Sequence, residues 1–155
     1  MKYWLTLHWP FPIDVDPATR EGVWLKDELR HAANELAIGD RILVYETKSG
    51  PKVRTSTGQI KNRRVGQMGI VACLEATSAL VPVTEFPWDE LLKWAWKIRT
   101  RPVATGFIPQ RNCNRVLGYD ENYQWRGFGR PHGSGLREIS SDQFEELFSR
   151  LVVDS

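Results

Sequence analysis

The clearest hydrophobic pattern in the chain follows the turn residues Gly39 and Asp40 and runs to Lys48. Such a run of β-branched and aromatic residues indicates a strand. Side chains alternate across a strand, so its two faces are expected to hold Arg41, Leu43, Tyr45 and Thr47 on one side and Ile42, Val44 and Glu46 on the other. We predict that this is the central strand of a small barrel and that it separates a core from a candidate pocket.

Alternating residues also predict a first strand from Lys2 to His8. It is expected to end where Pro10 and Pro12 break any ladder of hydrogen bonds. The stiff loop that follows is predicted to display Trp9 and Phe11.

Apolar residues at helical spacing predict two helices. The first is predicted from about Asp27 to Leu36, with Gly39 just beyond its end and with Trp24 in a loop before it. The last helix begins after Ser140, which forms a capping box with Gln143. Its apolar stripe is Phe144, Leu147, Phe148 and Leu151.

The remaining segments complete the order of elements. Residues 49–66 are polar and are predicted to form a mobile excursion that buries little. We predict strands at 66–77, 93–103 and 136–139, a helical turn at 86–92, a short helix and loop within 108–123, and a glycine-rich loop at 123–135. This order favours an α+β fold, a small β-barrel of about five to six mostly antiparallel strands with flanking helices.

Composition limits the class of protein. The chain has 155 residues, of which 41% are hydrophobic and 26% charged, so residues 1–155 are expected to form a single domain. No apolar run approaches the roughly 18 residues of a membrane span, and no signal-type segment opens the sequence, so we expect a cytoplasmic protein with no membrane partner. Cys73 and Cys113 lack CxxC spacing, which predicts buried or incidental thiols and neither a disulfide framework nor a zinc site. No cofactor is predicted.

Positive charge is concentrated although the net charge is only +2. Residues 93–137 contain nine basic and two acidic residues. A second basic cluster, Lys61, Arg63 and Arg64, lies in the polar segment. This asymmetry indicates a polyanionic partner, with nucleic acid as the leading candidate, and the alternative is a solvated basic face.

Five segments occur in an order that resembles a known family: Tyr3-Trp4-Leu5, Gly22-Val23-Trp24, Gly39 to Tyr45, Met68 to Ala72 and Leu136 to Ser140. Together they resemble an EVE domain, a member of the PUA-like group that also includes YTH and ASCH domains. The resemblance covers nearly the whole chain. It implies a PUA-like barrel with a pocket for one modified base, usually modified cytosine in DNA. The implied partner is therefore DNA, and a nuclease acting in trans is a further candidate.

Two segments depart from the family's pattern. Leu7-His8-Trp9-Pro10 stands where better-known members have a Lys-Ser-Glu-Pro-like segment, and Gly22-Val23-Trp24-Leu25 stands in place of Gly-Val-Arg-Asn. Both segments line the pocket in the family. The identity of the ligand therefore does not transfer from the resemblance.

A base taken out of its stack needs aromatic walls and partners for its polar edge. We predict Trp9 and Trp24 as walls, the alternative being that they plug the barrel ends. The full set of predicted base-binding residues is His8, Trp9, Trp24, Leu25, Tyr45, Thr47, Lys48 and Trp125. The predicted contacts to the phosphate backbone are Arg63, Arg64, Arg99, Arg101, Arg126 and Arg130.

No catalytic constellation is evident in the sequence. The three histidines lack metal-binding spacing, and no placed base accompanies Cys113, so no enzyme is predicted. Two alternatives stay open: an ASCH-like RNA-processing or nucleoside-hydrolysing enzyme, and a protein-interaction module that uses its tryptophans. Salt dependence separates the module from a nucleic-acid reader, because nucleic-acid binding weakens steeply as salt rises.

Overall fold

The computed structural model of the protein describes residues 1–16, 22–84, 94–123 and 135–153. Its strands are β1 Tyr3–His8, β2 Val23–Leu25, β3 Arg41–Glu46, β4 Val53–Arg54, β5 Ile60–Lys61, β6 Gly69–Pro82, β7 Trp96–Pro109 and β8 Leu136–Ile139. A 3₁₀ turn at Asp27–Leu29 leads into α1 Arg30–Ala33, and the longer helices are α2 Gln110–Leu117 and α3 Ser141–Val153. None of these helices is long and apolar enough to cross a membrane.

Six strands form one curled sheet in the order β2-β7-β6-β3-β1-β8. β1 and β3 run parallel, and the other neighbouring pairs are antiparallel. β4 and β5 pair separately as a small hairpin. The predicted α+β class, with a mostly antiparallel barrel-like sheet and flanking helices, is confirmed.

Both faces of β3 are buried inside the molecule. Ile42 and Val44 point into a first core, which α1 helps to cover, while Leu43 and Tyr45 point into a second core against α2 and α3. The predicted alternation along β3 and its central position are therefore confirmed. The prediction of a pocket on one face of β3 is wrong, because helices and neighbouring strands pack apolar side chains against both faces.

The start of α3 is the one the sequence predicts. Ser140 Oγ accepts the Gln143 N–H at 3.1 Å, and Gln143 Oε1 accepts the Ser140 N–H at 3.0 Å. Phe144, Leu147 and Leu151 of the predicted stripe are buried in the second core. Each buried leucine contributes about 1.5–3 kcal/mol, so the packing of this face holds α3 on the sheet.

Three local predictions near the N-terminus are wrong. The helix expected up to Leu36 is shorter, because the Leu36 N–H donates to the Ala33 carbonyl at 3.0 Å and tightens the chain after α1. Trp24 is not in a loop but on β2, which adds to the edge of β7. Phe11, expected on display, is buried.

The polar segment predicted to be a mobile excursion is folded. β4 and β5 pair within it, and the side chains of Val53 and Thr55 are buried. Thr55 closes the tip: its N–H donates to the Gln59 carbonyl at 2.9 Å, and its Oγ1 accepts the Gln59 N–H at 3.0 Å. Hydrogen bonds between nearby polar residues thus order a segment with few apolar side chains.

The two longest strands extend beyond their predicted ends. β6 and β7 each contain 14 residues, and their pairing shifts register at three places, which confirms the irregularity expected for β6. The predicted short helix appears as α2, and Gly118 caps its C-terminus with a left-handed φ of 76°. The helical turn predicted at 86–92 and nearly all of the loop predicted at 123–135 lie outside the described residues.

Candidate nucleic-acid interface

The exits of β1 and β3 lie side by side because these two strands are parallel. The Thr47 N–H donates to the His8 carbonyl at 3.0 Å, and the Thr47 hydroxyl donates to the Ser49 carbonyl at 2.9 Å. The loops 9–12 and 47–51 therefore leave the sheet together. Four predicted base-binding residues meet at this junction: His8, Trp9, Thr47 and Lys48.

Half-buried Trp9 lies at the centre of the junction. Its ring meets the Trp94 ring edge-on, with centroids 5.3 Å apart and 60° between the planes. Two cations approach the Trp9 ring, with the Arg63 guanidinium 5.1 Å and the Lys26 ammonium 5.4 Å from its centroid. Cation–π attraction of this kind strengthens where water is excluded. Trp9, Lys26, Arg63 and Trp94 are termed the Trp9 cluster below.

Two glycines allow the loops to approach this closely. A Cβ atom at Gly50 would lie 2.6 Å from Cγ of Trp9, so the Gly50 backbone packs directly on the ring. At Gly66, a Cβ atom would lie 1.7 Å from the Thr47 carbonyl oxygen, and the Gly66 N–H donates to the Lys48 carbonyl at 2.8 Å. No residue with a side chain fits either position without a shift of the neighbouring chain.

Arg63 and Arg64, predicted to contact phosphates, hydrogen-bond to the protein itself. Arg63 donates from Nε to the Pro51 carbonyl at 2.7 Å and from Nη1 to the Pro10 carbonyl at 3.1 Å. Arg64 Nε donates to the Val15 carbonyl at 3.1 Å. Both arginines therefore hold the segment after β3 against the loop after β1. Phosphate binding by their remaining N–H groups stays a prediction.

Two predicted base-binding residues are core residues instead. Leu25 is 2% exposed in the first core, and Tyr45 is 1% exposed in the second. Burial also raises the pKa of Tyr45 far above its ordinary value, which keeps its hydroxyl neutral. Neither side chain presents a surface to a base, so both predictions are corrected. Trp24 lies on β2 with the Lys97 ammonium 4.4 Å from its ring centroid, and its role as a wall stays a prediction.

The predicted basic face of β7 is partly paired. Arg101 Nε donates to Glu75 Oε2 at 2.6 Å, and Arg41 Nε lies 3.4 Å from Glu75 Oε1. The hydrogen bond from Arg101 holds the pKa of Glu75 below its usual value. Arg99 is exposed on this face. The predicted contacts at Trp125, Arg126 and Arg130 lie outside the described residues.

Both thiols are free and buried in the second core, as predicted. Burial raises the pKa of Cys73 to about 11 and the pKa of Cys113 to about 12. A cysteine attacks or binds metal as the thiolate, so neither side chain suits a nucleophilic role. Across the described ranges, no three His, Cys, Asp or Glu side chains gather as a metal ion would require.

Sequence reasoning missed Trp94 and Lys26. The alternation seen at Trp96 and Ile98 placed Trp94 in the core, but β7 begins only at Trp96, so the alternation does not extend back to Trp94. The Trp94 Nε1–H is buried and meets no acceptor within the described residues. Lys26 directly follows β2, and no local pattern marks it. Long-range approach of several segments creates the cluster, which explains why spacing along the chain does not reveal it.

Comparison with known proteins bears on the fold. No protein-family model matches the sequence, and no curated protein is significantly similar to it. Human THYN1 in complex with DNA containing 5-methylcytosine matches with a TM-score of 0.55 at 12% identity, over 97% of each chain. An Agrobacterium tumefaciens protein matches with a TM-score of 0.54 at 12% identity, over 97% of this chain and 92% of that one. For a Pseudomonas putida protein the TM-score is 0.53 at 12% identity, over 95% of this chain and 97% of that one. THYN1 is an EVE domain protein, so this chain has the EVE-type, PUA-like fold that the sequence resemblance implied.

Proposed function

We propose that this protein binds DNA and accepts a modified cytosine at the Trp9 cluster. The observation that carries the proposal is the meeting of two tryptophans and two cations where β1 and β3 leave the sheet together. The shared fold with human THYN1, a protein in complex with DNA containing 5-methylcytosine, supports nucleic-acid binding. The choice of a modified cytosine follows the resemblance to EVE domains and the 5-methylcytosine in the THYN1 complex.

The Trp9 cluster has the groups that an unstacked base requires. Enzymes and readers that extrude a base place it against aromatic or apolar side chains and hydrogen-bond its polar edge. Trp9 and Trp94 supply aromatic rings, and the buried Trp94 Nε1–H is a donor suited to a base acceptor. Lys26 and Arg63 bring positive charge to the Trp9 ring, which increases the attraction of this junction for a polyanion. His8 and Thr47, at the same junction, are the proposed polar contacts.

Fluorescence anisotropy with two duplexes that differ only by one 5-methylcytosine tests the proposal. We expect tighter binding to the methylated duplex. Stacking contributes roughly 1–3 kcal/mol per base, so Trp9→Ala is expected to weaken that binding by about 5- to 150-fold. Trp9→Phe keeps a ring at this position and is expected to retain most of the affinity.

Thermal denaturation of each variant separates loss of binding from loss of folding. Equal affinity of the parent for the two duplexes would contradict modified-base reading, and full affinity in a folded Trp9→Ala variant would contradict the site. A Trp24→Ala variant tests the remaining predicted wall. Release of free base or nucleoside during incubation would point to the hydrolase alternative. A nuclease partner stays a prediction.

A further inference from the structure

The segment of residues 47–66, termed the basic hairpin, carries positive charge without any acidic residue. It contains six Lys and Arg residues and no Asp or Glu. Three of the six side chains are engaged by the protein, since Lys61 Nζ lies 2.9 Å from Asp14 Oδ2 and both Arg63 and Arg64 donate to main-chain carbonyls. The six cations therefore divide into a structural set, which consists of these three residues, and a second set that consists of the other three.

The second set is Lys48, Lys52 and Arg54. All three side chains are exposed. Within the described part of the chain, no carboxylate forms an ion pair with any of them. Since Val53 is buried and side chains alternate, Lys52 and Arg54 project on the opposite, outward side of the hairpin.

The hairpin is held firmly enough to present these charges in a fixed arrangement. Its second arm pairs with the loop after β1, where the Arg64 N–H donates to the Phe11 carbonyl at 2.9 Å and the Ile13 N–H donates to the Asn62 carbonyl at 3.0 Å. The tip is closed by Thr55, whose side chain is buried. Less conformational entropy is then lost on binding than for lysines on a disordered tail.

The free cations lie next to the Trp9 cluster. Gly50, whose backbone packs on the Trp9 ring, is two residues from both Lys48 and Lys52. Consecutive Cα atoms are about 3.8 Å apart, so both lysine Cα atoms lie within about 8 Å of that of Gly50. A base held against Trp9 would therefore carry its neighbouring phosphates towards these side chains.

We propose that Lys48, Lys52 and Arg54 bind the DNA phosphate backbone beside the Trp9 cluster, while Lys61, Arg63 and Arg64 position the hairpin. The assignment rests on the proposed function in taking DNA as the partner. It reverses the expectation from sequence for Arg63 and Arg64, which are committed to the protein, and it moves Lys48 from the base to the backbone. Such contacts supply affinity without sequence information.

A triple variant, Lys48→Gln with Lys52→Gln and Arg54→Gln, tests the assignment by anisotropy over a series of KCl concentrations. We expect binding at low salt to weaken roughly 10- to 100-fold, equally for methylated and plain duplexes. The slope of log K against log salt is expected to become shallower by about 2–3, because each phosphate contact contributes about 0.9. Discrimination between the two duplexes is expected to equal that of the parent.

The matched control removes the same charge from the helices, by Arg111→Gln with Arg115→Gln and Arg150→Gln. Arg111 and Arg115 of α2 pair with Glu121, and Arg150 of α3 pairs with Glu146. An unchanged salt slope in the hairpin variant, or an equal loss in the control, would overturn the proposal. The proposal would also be overturned by a variant that keeps its DNA affinity but loses binding to phosphatidylserine vesicles that the parent protein shows. If the parent does not discriminate between duplexes but the hairpin effect persists, base reading is overturned and the backbone assignment stands.

Discussion

At the scale of single residues, Asp40 connects the turn before β3 to the start of β1. Its buried carboxylate accepts the Trp4 Nε1–H at 3.1 Å and the main-chain N–H groups of Lys2 and Ala37, each at 3.0 Å. Burial alone raises the pKa of Asp40, but the donors at Ala37, Lys2 and Trp4 outweigh it and hold the pKa below its ordinary value. The charge is therefore stabilised by hydrogen bonds.

Substitution of Asp40 measures how much these hydrogen bonds contribute to the free energy of unfolding. Asp40→Ala leaves the buried Trp4 N–H without its acceptor, and the expected loss in free energy of unfolding is about 2–4 kcal/mol. Asp40→Asn keeps one acceptor oxygen and is expected to lose less. Urea denaturation at pH 7 measures both, and a loss below about 0.5 kcal/mol for Asp40→Ala would contradict this role.

The same carboxylate predicts a pH dependence. Because the folded pKa is lowered, the stabilisation by Asp40 is complete above the unfolded pKa of about 4 and is lost as the pH falls through the folded value. The stability difference between the parent and Asp40→Asn should therefore shrink below about pH 4. A difference that stays constant down to pH 2 would show that another group carries the effect.

At the scale of elements, the parallel pair β1 and β3 decides where the candidate site lies. Parallel strands end at the same edge, so the loops 9–12 and 47–51 leave together, and the basic hairpin folds back over both. Gly66 closes the base of that hairpin by its bond to the Lys48 carbonyl. The close approach at Gly66 is the most demanding contact of the junction.

Adding one methyl group at this point should disturb the hairpin. In Gly66→Ala the new Cβ would meet the Thr47 carbonyl oxygen at 1.7 Å, and we expect a loss of about 1–3 kcal/mol, or more if the backbone cannot shift. Gly135→Ala is the matched control, since its Cβ would have only ordinary contacts at 3.6 Å and beyond. Comparable unfolding midpoints for the two variants would contradict the packing described.

At the scale of the whole molecule, two cores lie on opposite faces of one curled sheet. The second core contains both cysteines, beneath α2 and α3. Because both thiols are buried beneath α2 and α3, we expect them to react only when this packing opens. Thiol labelling is therefore expected to report on the stability of the second core.

We expect both thiols to resist a thiol reagent in the native protein and two to react in denaturant. The raised folded pKa values, about 11 for Cys73 and about 12 for Cys113, also predict a pH effect. This contribution to stability is complete below the unfolded pKa of about 8.5 and declines as the pH rises towards the folded values. Fast labelling of native protein at pH 7 would contradict the burial.

Much of the fold could be predicted because local patterns determine it. Alternation identified β1 and β3, and the Ser140–Gln143 capping box located the start of α3. The hairpin at 53–61 escaped prediction because polar hydrogen bonds, rather than an apolar face, order it. Tyr45 was misplaced for a related reason: periodicity places a side chain on one face of a strand but does not reveal what covers that face.

The sequence by itself determined β1, β3 and α3, the fold class and the excess of positive charge, since each follows from propensities and spacing within short windows. Tertiary structure alone decided which charges are free, because the partners of Arg63 and Arg64 come from distant segments. It likewise brought Trp94 and Lys26 to Trp9. A candidate site assembled from separate loops depends on long-range contacts, and no local pattern along the chain encodes those contacts.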